Sequence, residues 1–228
     1  MKTIGLLGGT GWSSTIGYYK TLNELVNQQL GGYHSAKILL KSIDYHDIMN
    51  NYGKNHEQIA QLLQHELLGL IALNPDCIMI CCNSLHKYYD MIKDNISSTI
   101  PVFHAVELTA KYANENSCHK VLLLATKFTM EDGFFAEILE KHGIDVVVPI
   151  QKERDKMQKI HDELMKNVVT QESRNYFRDL IATHKDLDAL VLGCTEYPLI
   201  VDHNNSALQI IDPAYLQAAH AVGYALQG

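Results

Sequence analysis

The feature that most constrains this chain is that it echoes itself at long range. Ile4-Gly5-Leu6-Leu7-Gly8-Gly9-Thr10 resembles Val121-Leu122-Leu123-Leu124-Ala125-Thr126-Lys127, an offset of 117 positions from Ile4 to Val121. Later in each half, Ile78-Met79-Ile80-Cys81-Cys82-Asn83-Ser84 resembles Leu190-Val191-Leu192-Gly193-Cys194-Thr195-Glu196, an offset of 112 positions from Cys82 to Cys194. Two nearly equal offsets predict two pseudo-symmetric lobes: residues 1–102, with the C-terminal segment 213–228 packing back on them, and residues 103–212. The fold class expected is α/β, each lobe a parallel sheet flanked by helices. The active site is expected in the cleft between the lobes, because such sheets place ligands outside the carboxyl ends of their strands.

Local patterning agrees with that class. Apolar runs of a few residues, each ending at Gly, Pro or a small polar residue, alternate with longer segments of helical period, which reads as βα units. The expected strands are 3–7, 37–42, 77–81, 102–104, 120–125, 145–148, 189–193 and 208–211. The expected helices are 15–30, 57–73, 85–92, 105–114, 130–142, 155–167, 171–183 and 214–226. Continuous apolar character in the strands predicts parallel pairing covered on both faces. Ile59, Leu63, Leu67, Leu70 and Ile71 share one stripe of the second helix, a core face.

Composition narrows the class of function. With 46% hydrophobic and 20% charged residues the 228-residue chain has ordinary globular usage. A net charge of −7 without a basic run disfavours nucleic-acid and anionic-membrane partners. Met1-Lys2 leads into too short an apolar stretch for a signal peptide, and no apolar run approaches the roughly 20 residues of a membrane span, so a cytoplasmic location is expected. There the five cysteines stay thiols.

Cys82 and Cys194 each follow a buried-strand run and precede a small polar residue. Both are expected at a strand-to-helix turn, with a helix N-terminus behind each to favour an anion and poise the thiol toward thiolate. Cys81 competes with Cys82, since successive strand residues face opposite ways. The echo favours Cys82, because Cys81 matches Gly193; Cys77 and Cys118 read as structural. His86, one turn past Cys82, is a candidate to orient the thiol or carry a proton. A zinc site from Cys81, Cys82 and His86 falls short of four tetrahedral ligands.

Gly8-Gly9-Thr10-Gly11 joins the first strand to a helix and could cradle an anion, with Gly9 and Thr10 facing substrate. Its spacing matches neither the dinucleotide fingerprint nor the phosphate-binding P-loop. Thr126, Lys127 and Thr129 occupy the matching turn of the second half, where they could bind the second end of a small dicarboxylate or amino acid. Thr129 reads equally well as a helix cap.

At these residues the chain resembles the aspartate/glutamate racemase superfamily of cofactor-independent, two-cysteine amino-acid racemases. The resemblance is carried by Ile4-Gly5-Leu6-Leu7-Gly8-Gly9 with Trp12 and Ser14-Thr15, by Cys82-Asn83-Ser84-Leu85-His86, by Leu123-Leu124-Ala125-Thr126 with Thr129-Met130, and by Gly193-Cys194-Thr195-Glu196. It implies two similar lobes, a homodimer, no pyridoxal phosphate and no metal. It also implies Cys82 and Cys194 as the catalytic pair, and Asn83, Ser84, Thr126, Thr129 and Thr195 as substrate contacts; Glu196 completes that candidate set. Lys166 is set against a family lysine as a candidate assisting residue. Ile48 stands where many aspartate racemases carry an arginine.

The reaction so implied is inversion at Cα of an amino acid such as aspartate or glutamate. One thiolate removes the proton and the other thiol delivers one to the opposite face. Broad-specificity amino-acid racemisation, maleate isomerisation and hydantoin racemisation are the other readings within the superfamily. A non-catalytic amino-acid-binding protein is the reading outside it.

Overall fold

The structure is a computed structural model and describes residues 1–227. It divides into two compact units, Met1–Ala105 with the segment from Ala214 on, and Val106–Pro213. In chain order the first unit contains β1 (Thr3–Gly8), α1 (Trp12–Leu30), β2 (Lys37–Ser42), α2 (His46–Asn51), α3 (His56–Ile71), β3 (Cys77–Ile80), α4 (Leu85–Ile92) and β4 (Val102–Phe103). Then follow α5 (Ala105–Glu115), β5 (Lys120–Leu124), α6 (Lys127–Asp132), α7 (Phe134–Lys141), β6 (Asp145–Val147), α8 (Gln151–Leu164), α9 (Gln171–Ala182), β7 (Ala189–Leu192) and β8 (Gln209–Ile211). The chain ends in α10 (Pro213–Leu226), which belongs to the first unit.

Each unit is built on one four-stranded sheet, ordered β2-β1-β3-β4 in the first and β6-β5-β7-β8 in the second. All pairings are parallel. The echo in the sequence is an echo in register: Leu7 pairs with Ile80 as Leu124 pairs with Leu192. It extends to the strand starts. Asp76 accepts a hydrogen bond from the Thr3 backbone N–H at 2.6 Å, and Asp188 accepts one from Lys120 at 2.8 Å. Each of these carboxylates satisfies a first-strand N–H one residue ahead of where the β1–β3 or β5–β7 pairing begins.

The period of two along β3 sorts its side chains between two cores. Ile78 and Ile80 pack with Ile59, Leu63, Leu67 and Leu70 of α3, as the helical stripe predicts. Cys77, Met79 and Cys81 pack on the other face with Leu22 and Val26 of α1 and with Ala218, Ala221, Val222 and Ala225 of α10. The small residues of α10 let that helix lie close to the sheet. It is fastened by the Lys2 N–H to Ala225 carbonyl bond and by Gln217 Nε2 donating to the Phe103 carbonyl. Removing one fully buried leucine from the α3 core, such as Leu63, costs about 2–5 kcal/mol.

All eight expected strands are present, with ends within a residue or two of the expected ones. Four helical readings need correction, one being the expected helix 155–167, which runs from Gln151 to Leu164. The expected helix 130–142 is two helices, because Gly133 takes φ +85° and both closes α6 and opens α7. The first helix begins at Trp12 rather than Thr15. The short helix α2 has no counterpart in the sequence reading; its six residues span less than two turns, too few to display an apolar stripe. No helix of the described residues is long and apolar enough to cross a membrane.

Candidate active site

In the first unit the strand β3 hands over to two cysteines that face opposite ways. The Cys81 N–H still bonds to the Leu7 carbonyl at 2.9 Å, and its side chain is buried in the α1/α10 core, where burial pushes its thiol pKa far upward. Cys82 is half-buried at the edge of the other core. Its Sγ lies 3.3 Å from Ser84 Oγ and 3.8 Å from the Tyr45 hydroxyl. Ser84 Oγ is 2.8 Å from the Tyr52 hydroxyl, to which Tyr45 donates at 2.8 Å. The thiol thus belongs to a closed ring with three hydroxyls. Burial, and then the proximity of Cys82, push both tyrosines well above their ordinary range, so they stay protonated donors.

Tyr45 and Tyr52 are functional candidates that the sequence reading missed. They flank the unread helix α2, at its N-cap and C-cap, and only the fold brings them to a cysteine 37 and 30 positions away. Ile48, between them, is buried in the α3 core. A pair of tyrosines bracketing six mostly polar residues is the signal that could have been read.

His86, the candidate to orient the thiol or carry a proton, has its ring nitrogen Nε2 engaged elsewhere. It is fully buried, its Nε2 accepts from the Ala105 N–H at 3.4 Å, and Gln217 Nε2 is 3.5 Å from the same nitrogen. Burial, reinforced by the neighbouring His104, lowers its pKa well below the usual imidazole value and keeps it neutral. Asn83 is buried as well.

The glycine turn is more structural than expected. Gly9 sits at φ +92°, and a Cβ there would meet the Ile43 carbonyl oxygen at 2.3 Å. Its N–H is taken by Thr15 Oγ1 at 2.9 Å, and Thr10 Oγ1 donates to the Cys81 carbonyl at 3.1 Å. The turn therefore fixes the end of β3, and Gly9 has no amide proton left for a substrate anion.

In the second unit the Gly193 N–H repeats the ladder bond, to the Leu124 carbonyl at 2.7 Å. A side chain at Gly193 would press within 2.8 Å of Leu123 Cδ1, which is why the counterpart of Cys81 is a glycine. Cys194 is 5% exposed, and its thiol donates to Glu196 Oε2 at 3.1 Å. Thr195 Oγ1 donates to the same oxygen at 2.9 Å, and His161 Nε2 of α8 lies 4.0 Å from it. Sequence reasoning assigned Glu196 to substrate and gave His161 no part; the structure ties the Glu196 carboxylate to the cysteine and sets His161 beside it. No α-helix stands behind Cys194, contrary to expectation. The chain makes only a three-residue 3₁₀ turn, Tyr197–Leu199, whose Pro198 has no N–H to extend a helical ladder.

Thr126 is the N-cap of α6: its Oγ1 accepts from the Thr129 N–H at 3.2 Å and lies 2.9 Å from Thr129 Oγ1. The cap is thus Thr126, and Thr129 is buried. Lys127 pairs with Asp155 at 2.6 Å on the surface of the unit, so its charge is already matched. Lys166 is exposed in the turn after α8.

Each unit therefore presents one thiol, two residues past its third-position strand, with hydrogen-bonding partners of its own. A thiol with a base beside it can give up and take back a proton, which suits proton transfer at carbon. The comparisons with known proteins agree in kind. The family model for Asp/Glu/hydantoin racemases matches residues 7–221. The broad-specificity amino-acid racemase RacX of Bacillus subtilis is 23% identical over 235 residues, covering 96% of each chain. A crystal structure of an Asp/Glu racemase type from Yersinia pestis superposes with a TM-score of 0.88 at 35% identity over the whole of both chains. An aspartate racemase homologue from Pyrococcus horikoshii superposes with a TM-score of 0.86 at 26% identity over 99% of each. The chain belongs to the Asp/Glu/hydantoin racemase family, and is by that membership an isomerase.

Proposed function

We propose that this isomerase racemises amino acids without an added cofactor, Cys82 and Cys194 serving as the two bases, and that aspartate or glutamate is its substrate. The observation that carries the reading is the equivalence of the two thiols. Each stands two residues past the matching strand, after the same ladder bond, and 112 positions separate them. Inversion by proton transfer requires a base on either face of one Cα, and a duplicated unit supplies two. One thiolate takes the Cα proton; the other thiol gives one to the opposite face, and the pair ends with its roles exchanged. The Cα proton of an amino acid is weakly acidic, so donors must stabilise the charge that develops on the substrate carboxylate. Asn83, Ser84, Thr126 and Thr195 are the donors proposed for that.

A broader substrate range is the second reading, favoured by Ile48. With that position buried in the core and the hydroxyls of Tyr45 and Tyr52 beside Cys82, the first unit sets neutral groups near its thiol. The similarity to RacX points the same way. A panel of L-amino acids, incubated without cofactor and resolved by chiral chromatography, decides between the readings. Faster conversion of aspartate or glutamate supports the first, and faster conversion of neutral amino acids the second. Saturable binding with no D-isomer from any of them would replace both with a binding protein. A homodimer is the proposed assembly, checked by light scattering.

A further inference from the structure

We infer that His161, Cys194 and Glu196 form a binding site for a borderline divalent cation, Zn²⁺, whose occupancy ties up the Cys194 sulfur. The three side chains offer an imidazole nitrogen, a sulfur and a carboxylate oxygen, all within 4.8 Å of one another. Cys194 Sγ is 3.1 Å and His161 Nε2 is 4.0 Å from Glu196 Oε2. A tetrahedral zinc ion, with bonds of about 2.0–2.3 Å, sets its ligand atoms roughly 3.4–3.6 Å apart. Two sides of the triangle are within about half an ångström of zinc geometry, and the third, at no more than 4.8 Å, needs a closure of at most about 1.3 Å.

The surroundings orient the ligands. Thr195 Oγ1 holds the Glu196 carboxylate at 2.9 Å. His161 Nδ1 faces Gln158 Nε2 at 3.5 Å and Asp162 Oδ1 at 3.8 Å, which leaves Nε2 as the nitrogen aimed at Glu196. An outer carboxylate that accepts the Nδ1–H fixes the ring and raises ligand basicity; Asp162 stands on that side, whereas the Gln158 amide nitrogen can only donate. Sulfur and imidazole select zinc over magnesium or calcium. Three protein ligands leave a fourth position for water or for the amine of an amino acid, the arrangement of an open rather than a closed zinc site. Among the described residues no second group of three such side chains meets this spacing. The Cys82 end, ringed by hydroxyls, has no equivalent.

On binding, the Cys194 S–H proton leaves to solvent as the sulfur–metal bond forms, so affinity rises with pH. The site stands on these three side chains alone. Its consequence, reversible inhibition, rests on the reading of Cys194 as a catalytic base.

The test uses the purified full chain titrated with Co²⁺ and then Zn²⁺. One Co²⁺ per chain is expected to give a sulfur-to-cobalt charge-transfer absorption that Zn²⁺ abolishes. Cys194→Ser removes that absorption, His161→Gln and Glu196→Gln each weaken binding at least about tenfold, and Cys82→Ser keeps both absorption and affinity. Zn²⁺ then stops racemisation and a chelator restores it. Absence of the absorption in the wild-type chain, its persistence in Cys194→Ser, equal loss in Cys82→Ser, or unchanged affinity in both other variants would overturn the site. Because the absorption is read without substrate, it survives even if the chain racemises nothing, and the two readings fail separately.

Discussion

The two thiols occupy the same place in two copies of one unit and meet different chemistry there. Cys82 sits among the neutral hydroxyls of Ser84, Tyr52 and Tyr45. Cys194 donates to a carboxylate that also holds Thr195 and faces His161. The shared part, from the Asp76 and Asp188 bonds to the last ladder bonds, is what a duplicated sheet dictates. The divergent part comes from elements that differ between the copies: α2 in the first unit, and α8 in the second. Duplication fixes where a base stands, and its neighbours set how it holds its proton.

The largest effect tests the shared part. Cys82→Ser and Cys194→Ser should each lower racemisation by at least about 10³-fold, the upper range of a single acid–base group, in coupled assays run in both directions. A loss confined to one of them would break the equivalence. Next comes the turn before each first helix. Gly9→Ala, forced to φ +92° against the Ile43 carbonyl, should cost on the order of 3 kcal/mol in urea unfolding. At the matching position Thr126→Ala removes only a helix cap, about 1 kcal/mol.

The divergent part is sharpened by Glu196→Gln and Ser84→Ala. Replacing the carboxylate should lower kcat by about 10²-fold with KM nearly unchanged, because the proton partner of Cys194 is lost. Replacing Ser84, one hydroxyl in a ring that retains two others, should cost about tenfold. Equal losses would mean that the two environments are interchangeable. The smallest effect is on stability with pH. His86 binds its proton less readily folded than unfolded, so the unfolded chain takes up more protons as the pH falls through about 6.5. Stability supported by neutral His86 is present above that value and declines below it, and in hydrogen exchange the first unit should lose protection there. His86→Gln should flatten that decline.

Much of this was legible in the sequence, for reasons particular to each residue. Cys77 to Cys81 and Ala189 to Gly193 read as buried strands because every residue is apolar or small, and the two offsets made their equivalence visible. The choice of Cys82 over Cys81 also follows from the echo, which sets Cys81 against Gly193; the structure adds that a side chain at Gly193 would crowd Leu123 and Ala125. His161 could not be read, because it reaches its thiol only through folding and nothing local marks it; Tyr45 and Tyr52 carry only the faint mark of bracketing a short polar segment. The ion pair of Lys127 is hidden in the sequence for the same reason as His161, its partner Asp155 lying 28 positions on. His86 misled because one helical turn from Cys82 places it beside the thiol in sequence, whereas its ring is committed to Ala105.

Isotope labelling of the product tests the central claim most directly. L-aspartate, L-glutamate and the best substrate of the panel are converted in deuterated water and sampled at low conversion. Two bases predict a D-isomer carrying one deuterium at Cα while the remaining L-isomer stays unlabelled. Deuterium entering the L-isomer as fast as the D-isomer, or a D-isomer that keeps its original hydrogen, would point to a single base and contradict the pairing of Cys82 with Cys194.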